Sequence, residues 1–230
     1  MSTQFKLPLA SPLTHGREDF AVSPSNGEAV ARLDAWPDWA EGRLVLVGPA
    51  GCGKSHLARA WAAAAGAVVV EAANPDAASV DLSALRGRAV LVEDADRRAQ
   101  GAAVSDEALF HILNMAGVDG GTVLLTGRTA PLTWSAEVAD LRSRLNALSV
   151  AEIAEPDDAV LEAVLRRAFA AAWWKPEPDL YPYLLARLPR SAAEAQAAAA
   201  LLAEAAADGR RELTKALARE VLEGFEGDEG

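Results

Sequence analysis

The sequence predicts an α/β protein in which a parallel sheet with flanking helices is followed by a small all-helical domain. Three observations lead there. Short apolar runs alternate with helix-forming runs through the first two thirds of the chain, the pattern of βαβ units and a parallel sheet. A complete Gly-rich phosphate-loop motif sits between the first such strand and the helix after it. After Pro156 the strand signal stops and only helical segments follow.

Residues 1–14 are rich in Ser, Thr and Pro without periodicity, and Pro8 and Pro12 would break a helix, so a flexible tail is expected. Trp36 and Trp39, around Pro37, are expected to cover the core ahead of the first strand, Arg43 to Val47. A helix over Lys54 to Ala65 follows, with Gly66 placed to close it and a second strand over Ala67 to Glu71. Ala89 to Glu93 is a third apolar run, ending in acids. Ser105 is the N-cap of a helix reaching Ala116, with Ala108, Leu109, Ile112 and Leu113 on one face. Thr122 to Thr126 and Ala147 to Ile153 are the fourth and fifth strands. Helices are then expected over Asp157 to Ala172, Asp179 to Ala186, Arg190 to Ala207 and Arg211 to Phe225, with Trp173 and Trp174 filling the space between them. The expected organisation is a tail (1–14), an α/β domain (15–154) and a helical domain (155–230).

Composition narrows the function. Of 230 residues, 51% are apolar and 24% charged, which suits a packed globule. The net charge of -11 argues against a duplex-DNA binder, because phosphate contacts need a basic face. Cys52, the one cysteine, fits a reducing compartment. No apolar stretch approaches the roughly 20 residues that span a bilayer, and the N-terminus has no secretory pattern, so a cytoplasmic protein without membrane contact is expected.

Gly48-Pro49-Ala50-Gly51-Cys52-Gly53-Lys54-Ser55 satisfies G-x-x-x-x-G-K-[ST] in full. The glycines let the main chain curl with its N–H groups inward, and the helix that follows adds the positive end of its dipole. Lys54 is expected on the β- and γ-phosphates and the Ser55 hydroxyl on magnesium. Cys52 is either a redox-sensitive thiol or a small spacer whose main chain binds, and the spacer is the simpler reading.

Val90-Leu91-Val92-Glu93-Asp94 ends a strand in two carboxylates, where phosphate-loop proteins place a metal-linked acid and a second acid near the attacking water. Glu93 stands where Asp is usual and Asp94 where Glu is usual. Shifts of that size cost about 100-fold in rate, so slow intrinsic hydrolysis is expected. Thr126 either touches the γ-phosphate or serves as a turn residue. Arg142 and Arg144 share a short helix, and on spacing alone they belong to a solvated face. His15, His56 and His111 are too scattered for a metal site.

Taken in order, these elements resemble the DnaA/Hda branch of the AAA+ ATPases, and most closely its short Hda-type regulators. The resemblance runs over roughly residues 15–210, through Arg17-Glu18-Asp19-Phe20-Ala21-Val22, Ser25-Asn26, Gly53-Lys54-Ser55-His56-Leu57 and Ser143-Arg144-Leu145. It implies an AAA+ fold with a helical lid, ADP or ATP as the bound nucleotide, and Phe20 and Val22 beside the adenine. His56 is expected to be a packing or phosphate-neighbour residue. Arg190 takes the lid-helix position of the family's second sensor, and Arg144 the position of its arginine finger. Gln4-Phe5-Lys6-Leu7-Pro8-Leu9 is similar to the family's sliding-clamp motif, with Gln4 to hydrogen-bond and Leu7, Pro8 and Leu9 to lie in an apolar groove. Gly127 departs from the acid usual at the first sensor.

The resemblance implies a negative regulator of replication initiation that docks on the sliding clamp (β subunit of the DNA polymerase) and supplies Arg144 in trans to ATP-bound DnaA. Self-association through AAA+ faces is common in such modules. The chain has no room after the lid for a helix-turn-helix domain, so no direct sequence-specific DNA binding is expected. Two rivals are a phosphate-loop small-molecule kinase and a helicase-loader-like AAA+ protein.

Overall fold

The computed structural model describes residues 16–72, 74, 81–98, 104–209 and 211–226. Two compact units divide at Asp157/Asp158. The first is built on five parallel strands: β1 (Arg43–Val47), β2 (Val68–Glu71), β3 (Ala89–Glu93), β4 (Thr122–Gly127) and β5 (Val150–Glu152). Their spatial order is β2-β3-β4-β1-β5. Because every strand runs the same way, their C-terminal ends share one edge of the sheet, where the phosphate loop, Glu93 and Gly127 all lie.

Strand alternation creates two cores. Leu44, Leu46, Leu91 and Leu124 face one side, against α1 (Gly27–Asp34) and α2 (Lys54–Ala65). Val45, Val47, Val92 and Leu125 face the other, against α3 (Asp106–Met115) and α4 (Ala139–Asn146). β1 and β4 are buried along their whole length, which explains their unbroken apolar reading. Trp39 is buried and its ring lies 5.2 Å from that of Trp61, while the half-buried Trp36 donates to the Thr122 hydroxyl at 3.1 Å. Both cover the core as expected.

Several elements match the sequence reading closely. Gly66 ends α2 in the left-handed conformation (φ 59°), and the Ser105 hydroxyl accepts from the Ala108 N–H at 3.1 Å. Others differ. α1 was not anticipated: it is eight residues long, with Ala29, Val30 and Leu33 buried. Asn26, the residue before it, does not cap it. Its amide instead accepts from the Ser23 N–H and donates to the Ala21 carbonyl, 2.9 Å each. The fifth strand is three residues rather than seven, because Ala147 and Leu148 still bond back to α4.

The second unit holds α5 (Asp158–Ala171), α6 (Leu180–Leu185), α7 (Ala192–Gly209) and α8 (Lys215–Glu226), packed around Leu161, Leu165, Phe169, Leu202 and Leu217. Ala195, Ala198, Ala199, Ala203 and Ala206 are the buried small residues of α7, so its alanine-rich sequence is a packing face. Trp174 packs on this core, but Trp173 is 95% exposed and does not fill it. Trp173 closes α5 in the left-handed conformation (φ 61°), which turns its side chain outward. No helix among the described residues is long and apolar enough to cross a membrane.

Asp106 ties the lead-in of α4 to the start of α3. Its carboxylate accepts from Arg98 (3.0 Å) and from the main-chain N–H groups of Glu137 (2.6 Å) and Val138 (3.4 Å). Burial alone would raise its pKa, but these bonds and the Arg98 charge bring it below the ordinary 3.8. Its stabilisation is therefore complete above that value and is lost as pH falls through the depressed folded value. Asp106→Ala is expected to cost about 1–3 kcal/mol at neutral pH and to flatten the acid limb of the stability profile, as read by urea unfolding.

Candidate functional site

The loop between β1 and α2 has the shape its glycines predict. Gly51 and Gly53 lie at φ 72° and 102°. At Gly48 a Cβ would stand 2.3 Å from the Ile153 carbonyl and 3.0 Å from the Cys52 sulfur, so the main chain passes where no side chain fits. α2 begins with Gly53 as N-cap and no side-chain cap, leaving its first N–H groups to whatever lies in the loop. Lys54 is buried, and its ammonium donates to the carbonyls of Gly48 and Pro49 at 2.7 Å each. Cys52 is buried with its sulfur 3.7 Å from that ammonium, and its contacts are those of a packed spacer. Pro49 and Ala50 form the tip, and Ser55 is exposed one residue into the helix.

Phe20 and His56 wall one flank of the loop. Their rings meet edge-on at 5.5 Å, Phe20 reaches within 3.0 Å of a Cβ built on Gly53, and the His56 Nε2 is 3.1 Å from the Gly16 carbonyl. Val22 is 56% exposed nearby in sequence, beyond the Ala21 carbonyl that Asn26 holds.

The acids at the end of β3 separate. Asp94 turns into the left-handed region (φ 52°), its N–H donating to the buried Thr126 hydroxyl at 3.0 Å and its carboxylate 3.4 Å from Arg97. Thr126 is thus a brace between two strand ends. Glu93 is buried, and its Oε2 accepts from the Arg59 Nε at 2.9 Å, with Nη2 2.6 Å away in an ion pair. The Arg59 Nη2 also reaches Glu71 at 3.0 Å. The hydrogen bond to Glu93, then its charge, raise the Arg59 pKa. The main-chain cradle fits a nucleotide's phosphates. A magnesium ion fits poorly at Glu93, because the Arg59 guanidinium already neutralises the buried carboxylate through its Oε2.

Gly127, where an acid was expected, has its space filled: a Cβ there would lie 2.6 Å from the Trp134 ring. The Asp96 carboxylate comes up beside it and accepts from the Arg128 N–H at 2.7 Å. Arg144 stands exposed in the last turn of α4, and its side chain makes no hydrogen bond or ion pair among the described residues. Burial first, and then the Arg144 charge, lower the pKa of Arg43 against the pull of Glu41. Arg142 instead donates to the Leu132 carbonyl at 3.2 Å. Arg190 belongs to the helical unit, is exposed, and pairs with Asp158. Gln4, Leu7, Pro8 and Leu9 lie outside the described residues.

Domain III of the replication initiation protein DnaA from Thermotoga maritima superposes with a TM-score of 0.75, covering 94% of this chain and 99% of that one at 16% identity. The fold is that of the AAA+ P-loop proteins. RuvB of Thermotoga maritima (R170A) shares this AAA+ fold at a TM-score of 0.68 and 15% identity, covering 91% of this chain and 72% of that one. A replication initiator DnaA bound to AMPPCP and single-stranded DNA does so at 0.66 and 18%, covering 82% and 64%. No protein-family model matches. In sequence, the chromosomal replication initiator protein DnaA of Caulobacter vibrioides (strain NA1000 / CB15N) is 28% identical over 239 aligned residues, 89% of this chain and 48% of that protein. DnaA of Caulobacter sp. (strain K31) is 31% identical over 176, which is 67% and 36%. The chain is therefore homologous to DnaA over this AAA+ stretch, and it spans about half the length or less of these relatives.

Sequence reasoning missed Arg59 and Asp96, which act on residues more than thirty positions away, and Trp134, which folds back from the next turn onto Gly127. A weak signal for Arg59 existed: two apolar strands each end in Glu, and neighbouring strand ends of like charge call for a cation. Gly127→Asp is expected to lower stability by about 1–3 kcal/mol through the clash with Trp134, as measured by the denaturation midpoint.

Proposed function

We propose that this chain is a cytoplasmic AAA+ regulator of DnaA that holds ADP or ATP in the 48–55 loop and presents Arg144 to a nucleotide bound by DnaA. The observation that carries the reading is where Arg144 stands. It is exposed and unpaired among the described residues, and its charge is felt by Arg43 at the first residue of β1. The phosphate loop begins at the other end of that strand, about 13 Å away by strand rise. A guanidinium so placed faces away from its own loop and suits a phosphate brought by a second protein, where it would stabilise charge developing during hydrolysis.

Within the chain, Lys54 and the loop N–H groups hold the phosphates, and Phe20, Val22 and His56 border the nucleotide on the flank of the N-terminal segment. Glu93, committed to Arg59, and Asp94, turned aside by Thr126, are poorly placed to drive rapid hydrolysis, so the bound nucleotide serves to organise the docking face. The tail, through Gln4, Leu7, Pro8 and Leu9, supplies the sliding-clamp contact, which makes the chain a negative regulator acting after initiation.

Two variants divide the reading. Lys54→Ala is expected to weaken ADP binding by about tenfold or more, as read by calorimetry. Arg144→Ala should bind ADP and clamp normally yet lose the stimulation of ATP hydrolysis by DnaA in a mixture containing clamp-loaded DNA. Normal stimulation by Arg144→Ala would remove the trans role.

A further inference from the structure

Glu71 and Glu93 are direct partners in the register of β2 and β3. Two carboxylates side by side at strand ends repel each other, and Glu93 adds the cost of burial, its side chain only 8% exposed. One cation answers both. Arg59, five residues past Lys54 on the same helix, puts Nη2 within 2.6 Å of the Glu93 Oε2 and 3.0 Å of the Glu71 Oε1, with Nε at 2.9 Å from Glu93.

A divalent ion needs ligand oxygens at about 2.0–2.1 Å in near-octahedral array. The guanidinium already holds the Glu93 Oε2 and neutralises the carboxylate, and leaving it would strand a buried charge. Asp94 is turned to Arg97, and among the described residues no cluster of three or more His, Cys, Asp or Glu stands ready for a metal, which leaves the exposed Ser55 hydroxyl as the lone protein donor beside the loop. The neighbouring Lys54 ammonium and the uncapped start of α2 provide positive charge that needs no ion.

We infer that Arg59 takes the place of the divalent cation at the end of β3, so that the loop holds a nucleoside diphosphate without metal and Glu93 is not a metal ligand. The inference rests on the reading of residues 48–55 as a nucleotide site. It assigns Arg59 as a fixed internal counter-ion. The diphosphate then meets only main-chain N–H groups, the helix start and Lys54.

The test is titration of the full chain with ADP in excess magnesium and in excess EDTA. The expected affinities agree within about twofold. Arg59→Met frees Glu93, and its affinity should rise by about tenfold or more when magnesium replaces EDTA. Wild-type binding that weakens about tenfold or more in EDTA overturns the inference, as does an Arg59→Met protein indifferent to metal. Should Arg59→Met fail to fold, the wild-type pair of titrations still decides. Folded wild-type protein that binds no ADP in either condition overturns the nucleotide reading itself, and the metal inference with it.

Discussion

Parallel pairing of β1 with β4 on one side and β5 on the other is the constraint on which the site depends. It fixes the level at which β1 ends and brings Ile153 against Gly48 and Gly127 beside the same turn. The Gly48 N–H donates to the Gly127 carbonyl at 3.3 Å, and the Ile153 N–H to the Val47 carbonyl at 2.8 Å. The loop that follows is thus clamped at its root by both neighbouring strands. Its curl has little freedom left to lose when an anion arrives, which is what pre-organised recognition requires.

How much of this could be read beforehand follows from the range of each interaction. The phosphate loop was legible because its chemistry is local: eight consecutive residues carry the turn, the cradle and the lysine. The same holds for Ser105 as a cap and for Gly66 at the end of α2. What stayed hidden is formed between distant segments. Nothing near Thr126 announces that its hydroxyl will hold the Asp94 N–H, and Gly127 reads as a lost acid until Trp134 is seen in its space. Arg59 looked like one more polar residue on a helix. α1 was passed over because eight residues with three buried side chains make too short a pattern to stand out.

The acid pair shows why a motif and its geometry must be weighed together. Glu93 and Asp94 keep the residue types that phosphate-loop hydrolases use. Yet the side chains go separate ways, one inward to an arginine and the other turned with a left-handed main chain.

The placement of Arg144 beside Arg43 gives the α/β unit a polarity. In the proposed scheme its anion-accepting pole is the C-terminal edge of the sheet, and its donating pole is the opposite edge. Two bodies that meet through unlike poles cannot be related by a two-fold axis, so their contact is head-to-tail and leaves one free pole at each end. An assembly of this kind grows along a line or closes into a ring, and its length is set by which member first lacks a matching pole.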